Sequence, residues 1–253
     1  MDADGERLDV SFETVFDRIA VISLTSRTDR RREVASELAR LGLRPGVGKV
    51  RFFDAVRPSE AAGFPTIGAR GCFLSHLTLL EESARTGVQS LLILEDDVGF
   101  VEHIDDRMRR VCAALLQDEW SVFYGGYGAL PESAVAEPDL RPLVAVDPDD
   151  AIGQTHCIGL RGPAIAEAAA YLRPMLSRPA GSPEGGPMHV DGAYSWYRKA
   201  HPGRRTLAAR PALAYQRPSR SDIFEHLAWY DRIGALRPIM SELRRWKGRL
   251  TRS

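Results

Sequence analysis

The segment Leu91-Leu92-Ile93-Leu94-Glu95-Asp96-Asp97-Val98 constrains this chain more than any other, because four branched aliphatic residues run straight into three carboxylates. Such an unbroken apolar run reads as a strand buried on both faces, the pattern of a parallel sheet covered by helices. Three adjacent acids at its end repel one another. A fold accommodates them by holding a cation or proton among them, or by leaving them in water as a turn. In open α/β sheets, ligands bind outside the carboxyl ends of strands, which is where these acids fall.

The flanking sequence alternates strand and helix. Residues 19–24 are a β-branched and aliphatic run, followed by Thr25-Ser26-Arg27-Thr28-Asp29. Ser26 with Asp29 three residues on predicts a capping box, and Val34, Leu38 and Leu41 give the ensuing helix a buried stripe that Gly42 can end. With Arg27, Arg30 and Arg31 beside it, that helix start can hold an anion or present a solvated basic face. Val50-Arg51-Phe52-Phe53-Asp54 predicts a second strand, whose terminal acid suits a ribose or base hydroxyl, or a turn. Residues 58–71 carry breakers and predict a loop. A helix then starts at Gly71 and runs through Cys72-Phe73-Leu74-Ser75-His76, which puts Ser75 and His76 near its first turn.

After the acids, the pattern predicts a helix over 104–116 and a strand over 120–124. Gly125-Gly126-Tyr127-Gly128 follows, where the backbone can turn sharply or approach a ligand closely. Residues 129–154, rich in Pro and Asp, read as a surface excursion. A strand over 155–160, a helix opened by Pro163, a helix start around Asp191 and a last strand over 210–216 complete the alternation. The whole predicts an α/β fold with a mainly parallel sheet.

Charge excludes little. The 34 basic residues balance 34 acidic ones, so nothing global points to nucleic acid. Cys72, Cys112 and Cys157 form no Cys-x-x-Cys pair, which argues against a disulfide framework or structural zinc and fits a reducing cytoplasm. The first fifteen residues lack the basic and apolar regions of a signal peptide, and no apolar run approaches the ~18 residues of a membrane span. Residues 229–253 differ: seven arginines and lysines accompany two acids, and Ile233, Leu236, Met240 and Leu243 recur at helical spacing. That predicts a basic amphipathic helix that either packs on the domain or rests on the inner face of an anionic membrane.

Several of these motifs together resemble glycosyltransferase family 25, the bacterial lipooligosaccharide glycosyltransferases to which the collagen galactosyltransferases are related. They are Arg27-Thr28-Asp29-Arg30-Arg31, Gly71-Cys72-Phe73-Leu74-Ser75-His76, Leu94-Glu95-Asp96-Asp97, Asp191 before an aromatic helix, and Gln216 with Ser221-Asp222-Ile223. The resemblance spans residues 18–224. It departs at Ser23-Leu24, where the family has Asn before Leu, and over 129–154, both of which bear on substrate identity.

The resemblance implies a GT-A-type α/β fold with a mainly parallel central sheet and helices on both faces. An N-terminal extension (1–17) would precede a single catalytic domain (18–228), with 18–128 binding the donor and 129–228 shaping the acceptor site; the helix over 229–253 would follow. It implies an inverting transferase that moves a hexose, galactose favoured, from a UDP-linked nucleotide-sugar to a hydroxyl of a cell-surface glycan or lipooligosaccharide-type acceptor. Glu95 and Asp97, one residue apart on an extended backbone, would hold a divalent metal, Mn2+ or Mg2+. Asp191 would act as the catalytic base, while Thr25, Arg27, Arg30, Asp54, Ser75, His76, Asp96 and Gln216 would surround the donor. The alternative is a catalytically silent sugar-nucleotide or glycan-binding module with the same fold.

Overall fold

A computed structural model describes residues 10–131 and 141–218. The elements run α1 (Phe12–Val15), β1 (Arg18–Ser23), α2 (Thr28–Ala39), β2 (Val50–Asp54), α3 (Ile67–Arg85), β3 (Ser90–Glu95), β4 (Val98–Phe100), α4 (Ile104–Gln117) and β5 (Val122–Gly126). Then come β6 (Leu143–Val146), β7 (Cys157–Arg161), α5 (Pro163–Leu172), a 3-10 turn at Arg173–Leu176, α6 (Val190–Ala200), β8 (Thr206–Ala209) and β9 (Ala214–Gln216).

The α/β expectation holds, with helices on both faces of one central sheet. Strand order is β2-β1-β3-β7-β5-β8-β6, with β9 bridging β5 and β4. The strands β2, β1 and β3 run parallel, while β7 enters antiparallel between β3 and β5 and mixes the sheet beyond the acidic strand. Side chains alternate across a strand, so Ile19, Val21, Leu92 and Leu94 enter one core with α1, α2 and α4. Ala20, Ile22, Leu91 and Ile93 enter the other, under α3, α5 and α6. Burial of each such aliphatic side chain is worth about 1.5–3 kcal/mol, which makes β1 and β3 the rigid base of the strand ends.

The structure differs from the sequence reading in several places. Phe12 and Phe16, expected in an extension, are fully buried, and the Phe16 ring packs edge-on against Trp120 at 5.8 Å between centroids. The expected domain boundary at 228 lies outside the described residues. No capping box closes α2, since Arg27 stands at its N-cap without a side-chain cap bond. Helix α3 starts at Ile67, not Gly71, because the Thr66 hydroxyl accepts from Ala69 N at 2.9 Å and caps it. Gly71 therefore lies inside the helix, where a Cβ would come within 2.8 Å of Val56 O. The excursion contains an edge strand, β6, and β8 precedes the expected last strand. The helix expected over 229–253 and the Ser221-Asp222-Ile223 motif lie outside the described residues.

Candidate functional site

Parallel pairing brings the carboxyl ends of β2, β1 and β3 into line: Asp54 stands beside Ser23, and Ile22 beside Glu95. The antiparallel β7 contributes its beginning to the same edge, so Glu95 N donates to His156 O at 3.1 Å. The chain then turns at Asp96 and Asp97 and returns as β4, which pairs with β9 through Val98 and Gln216. Glu95 and Asp97 are thus separated by a turn rather than carried on one extended strand. Arg217 clamps this turn, its guanidinium donating to Asp96 O at 2.8 Å and Val98 O at 3.1 Å, and its backbone N to Asp97 O at 2.7 Å.

The three acids have separate surroundings. Asp96 accepts from the Ser23 hydroxyl at 2.7 Å and pairs with Arg30 at 2.9 Å. Both side chains of that ion pair are about nine-tenths buried, which ties α2 to the strand ends. Glu95 accepts from the Thr155 hydroxyl at 2.7 Å and lies 3.6 Å from His76 Nε2. Burial works to raise its carboxyl; the His76 ring, the Thr155 hydroxyl and the His156 ring outweigh it and hold the group below the ordinary carboxylate value. Asp97, only 5% exposed, accepts from Gln216 Nε2 at 3.0 Å and is pushed up to about 6, first by burial and then by the charge of Glu95. Its Oδ1 is buried without a hydrogen-bond partner. An orphaned carboxylate oxygen beside a second acid fits a site for a proton or a hard cation.

The expected donor-contacting residues divide. Thr25 is exposed in the turn after β1. Arg27 donates to Asp29, and Arg31 reaches Ser23 O at 2.9 Å and the exposed Asp54 at 2.5 Å. Arg30, Asp96 and Gln216 hold the acid turn as described. Ser75 belongs to the scaffold: its hydroxyl donates to Gly71 O at 2.6 Å and accepts from Val56 N at 2.8 Å, as mid-helix serines bond back to the previous turn. His76, fully buried in the middle of α3, puts Nδ1 3.2 Å from the Tyr194 hydroxyl and aims Nε2 at Glu95.

Asp191 sits in the first turn of α6. Its carboxylate accepts from Gln154 N at 3.0 Å and Gly192 N at 2.8 Å, which fixes its orientation. The Cys72 thiol is pushed well above its ordinary value by burial, and the charges of Glu95, Asp97, Asp191 and Asp96 add to that shift. The acid turn and the separate acid therefore share one electrostatic neighbourhood.

Cys72, Thr155, His156 and Tyr194 were not foreseen as site residues. His156 is buried with neither ring nitrogen hydrogen-bonded, and burial, opposed by the Glu95 charge, holds it below the ordinary histidine value. A Cβ at Gly126 would come within 2.2 Å of His156 Nε2, and one at Gly125 within 2.6 Å of Cys157 Sγ. The glycines make room for the side chains of His156 and Cys157. The one sequence signal was a polar Thr155-His156 pair opening an apolar strand.

Residues 63–125 match the model of "Glycosyltransferase family 25 (LPS biosynthesis protein)". That segment holds α3, all three acids and the start of β5. Over these residues the chain is similar to glycosyltransferase family 25. The family 25 match includes Cys72, His76 and Glu95 to Asp97, and leaves the α2 arginines, Asp191 and Gln216 outside it. Among curated relatives, "Inactive glycosyltransferase 25 family member 3" of Homo sapiens is 30% identical over 148 residues, 51% of this chain and 25% of that protein. Procollagen galactosyltransferase 1 of Danio rerio is 28% identical over 184 residues, 64% of this chain and 30% of that protein. The lacto-N-neotetraose biosynthesis glycosyltransferase LgtB of Neisseria gonorrhoeae is 34% identical over 92 residues, 31% of each chain. This chain thus spans about a quarter to a third of the length of these relatives. Among the described residues, no helix is long and apolar enough to cross a membrane.

Proposed function

We propose that this chain is an inverting glycosyltransferase that moves a hexose, galactose favoured, from a UDP-linked nucleotide-sugar to a hydroxyl of a cell-surface glycan or glycolipid. The observation that carries this reading is that adjacent residues hold the two acids, Gln154 N bonding Asp191 at 3.0 Å and the Thr155 hydroxyl bonding Glu95 at 2.7 Å. Donor-side charge and a separate base are the two things a single displacement requires. The family 25 similarity and the relatives named for galactosyl transfer and lacto-N-neotetraose synthesis support the reaction class and the sugar.

Glu95 and Asp97 would hold a divalent ion, Mn2+ or Mg2+, whose chemistry is to offset charge on a departing diphosphate. Gln216 steadies Asp97 through its amide, and Arg217 fixes the turn that presents both acids. The Asp191 carboxylate takes the proton from the attacking acceptor hydroxyl. The N–H groups of Gln154 and Gly192 hold it in place. Residues 229–253, if they rest on a membrane rather than pack on the domain, would suit a lipid-linked acceptor.

A silent binding module of the same fold is the second reading, favoured by the name of the Homo sapiens relative. Incubating the chain with UDP-galactose, Mn2+ and a galactose-accepting oligosaccharide, and measuring UDP release, separates the two. Acceptor-dependent UDP release supports transfer. Saturable UDP-galactose binding with no UDP release would establish the silent module.

A further inference from the structure

We propose that Cys72, His76 and Glu95 form a binding site for a transition-metal cation of the zinc class, distinct from the pairing of Glu95 with Asp97. Cys72 and His76 lie four residues apart on α3 and so share one face of the helix. That face looks onto the end of β3, and one ligand atom from each of Cys72, His76 and Glu95 lies within 4.8 Å of the others.

The second observation is the state of His76. Its ring is fully buried, and Nε2 has no hydrogen-bond partner although it points at Glu95 Oε1, 3.6 Å away. That separation is too long for a hydrogen bond and suits two ligands of one ion. The Tyr194 hydroxyl, 3.2 Å from Nδ1, is the partner that fixes the ring. With Nδ1 donating to Tyr194, the Nε2 lone pair faces the carboxylate. Metal-bound histidines are oriented in this way, by a hydrogen bond from the other ring nitrogen. Glu95 is oriented likewise, by the Thr155 hydroxyl at 2.7 Å.

The donor set selects the ion. Thiolate, imidazole and carboxylate together suit Zn2+ or Co2+ and disfavour Mg2+, which takes oxygen alone. Three protein ligands leave a fourth position, which the incomplete burial of Cys72 and Glu95 leaves open to a small ligand. A carboxylate has two oxygens, so a share in this site does not withdraw Glu95 from the ion proposed beside Asp97. No Cys-x-x-Cys pair announces such a site. Two ligands come from a helix and one from the following strand, and only packing brings them together.

Cobalt tests the proposal, because thiolate-bound Co2+ has a near-ultraviolet charge-transfer band that oxygen-bound Co2+ lacks. Adding one equivalent of Co2+ to the metal-stripped full chain should produce that band with visible tetrahedral bands, and Zn2+ should displace them. Cys72→Ser should lose the charge-transfer band, while a Cys112→Ser/Cys157→Ser double variant should keep it. Tyr194→Phe removes only the orienting hydroxyl and should weaken Co2+ binding about tenfold. Asp97→Asn should retain the band, which separates failure of this site from failure of the donor-metal reading. Absence of the band in the unaltered chain, or its survival in folded Cys72→Ser, would overturn the proposal.

Discussion

The two sides of the acid turn differ in how completely their charges are matched. Toward α2, Asp96 is satisfied twice, by Ser23 and by Arg30, and Arg31 covers both Ser23 O and Asp54. Toward α3 and β7, Asp97 Oδ1, His76 Nε2 and both nitrogens of His156 are buried without hydrogen bonds. Unsatisfied buried polar atoms are costly and therefore uncommon. Toward α2 both Asp96 oxygens are paired, although Arg31 Nε is buried without a hydrogen bond; toward α3 and β7 a carboxylate oxygen and imidazole nitrogens go unmatched, an arrangement that a ligand would complete.

The strongest way to break this comparison is at Asp191, on the α3 and β7 side. Asp191→Asn keeps the helix start but removes the proton acceptor, so acceptor-dependent transfer should fall by about 10²- to 10⁴-fold with donor affinity unchanged. Near-normal turnover in that variant would take Asp191 out of the role. The α2 side predicts a structural loss instead. Arg30→Ala leaves Asp96 buried without its cation and should lower stability by about 3–5 kcal/mol in urea unfolding. A cost below about 1 kcal/mol would show that this joint does not hold α2 to the strands.

Asp97 predicts the opposite sign. Its folded-state value of about 6 lies above the ~3.9 of an unfolded aspartate, so the native state binds the proton more tightly. Without metal, the stability contributed by that proton is present below about pH 4 and is lost as pH rises through about 6. Asp97→Asn should therefore match the unaltered chain at pH 4 and be more stable at pH 7.5, by up to about 3 kcal/mol. Thermal melts in chelator at the two pH values check this, and destabilisation at pH 7.5 would contradict it. Metal-dependent donor binding should be lost in the same variant. The smallest effect tests how rigid the α3 and β7 side is. Gly126→Ala drives a Cβ against the His156 ring and Ala214 O and should cost about 1–3 kcal/mol; a neutral result would mean that both can give way.

How much of this was legible follows from the range of the signals involved. The runs at 19–24 and 91–94 mark their own strands because burial on both faces demands continuous aliphatics. The start of α3 was misplaced because its cap, Thr66, precedes a stretch of small and polar residues without periodicity. The edge strand β6 was hidden in a Pro- and Asp-rich region because an edge strand needs pairing on one side only. For the site, the acids and Asp191 could be named from type and position. The role of Ser75 could not, since its bond to Val56 N joins segments nineteen residues apart.

The sequence by itself determined the α/β class, the acidic strand end and the inventory of carboxylates, because hydrophobic runs and charge clusters are local properties. Only the tertiary structure decided which acid is neutralised and which is left wanting a partner. Asp96 meets Arg30 from sixty-six residues away, Glu95 meets Thr155 from sixty, and Asp97 meets Gln216 from one hundred and nineteen. Charge matching depends on distance in space, and sheet order and helix docking set that distance.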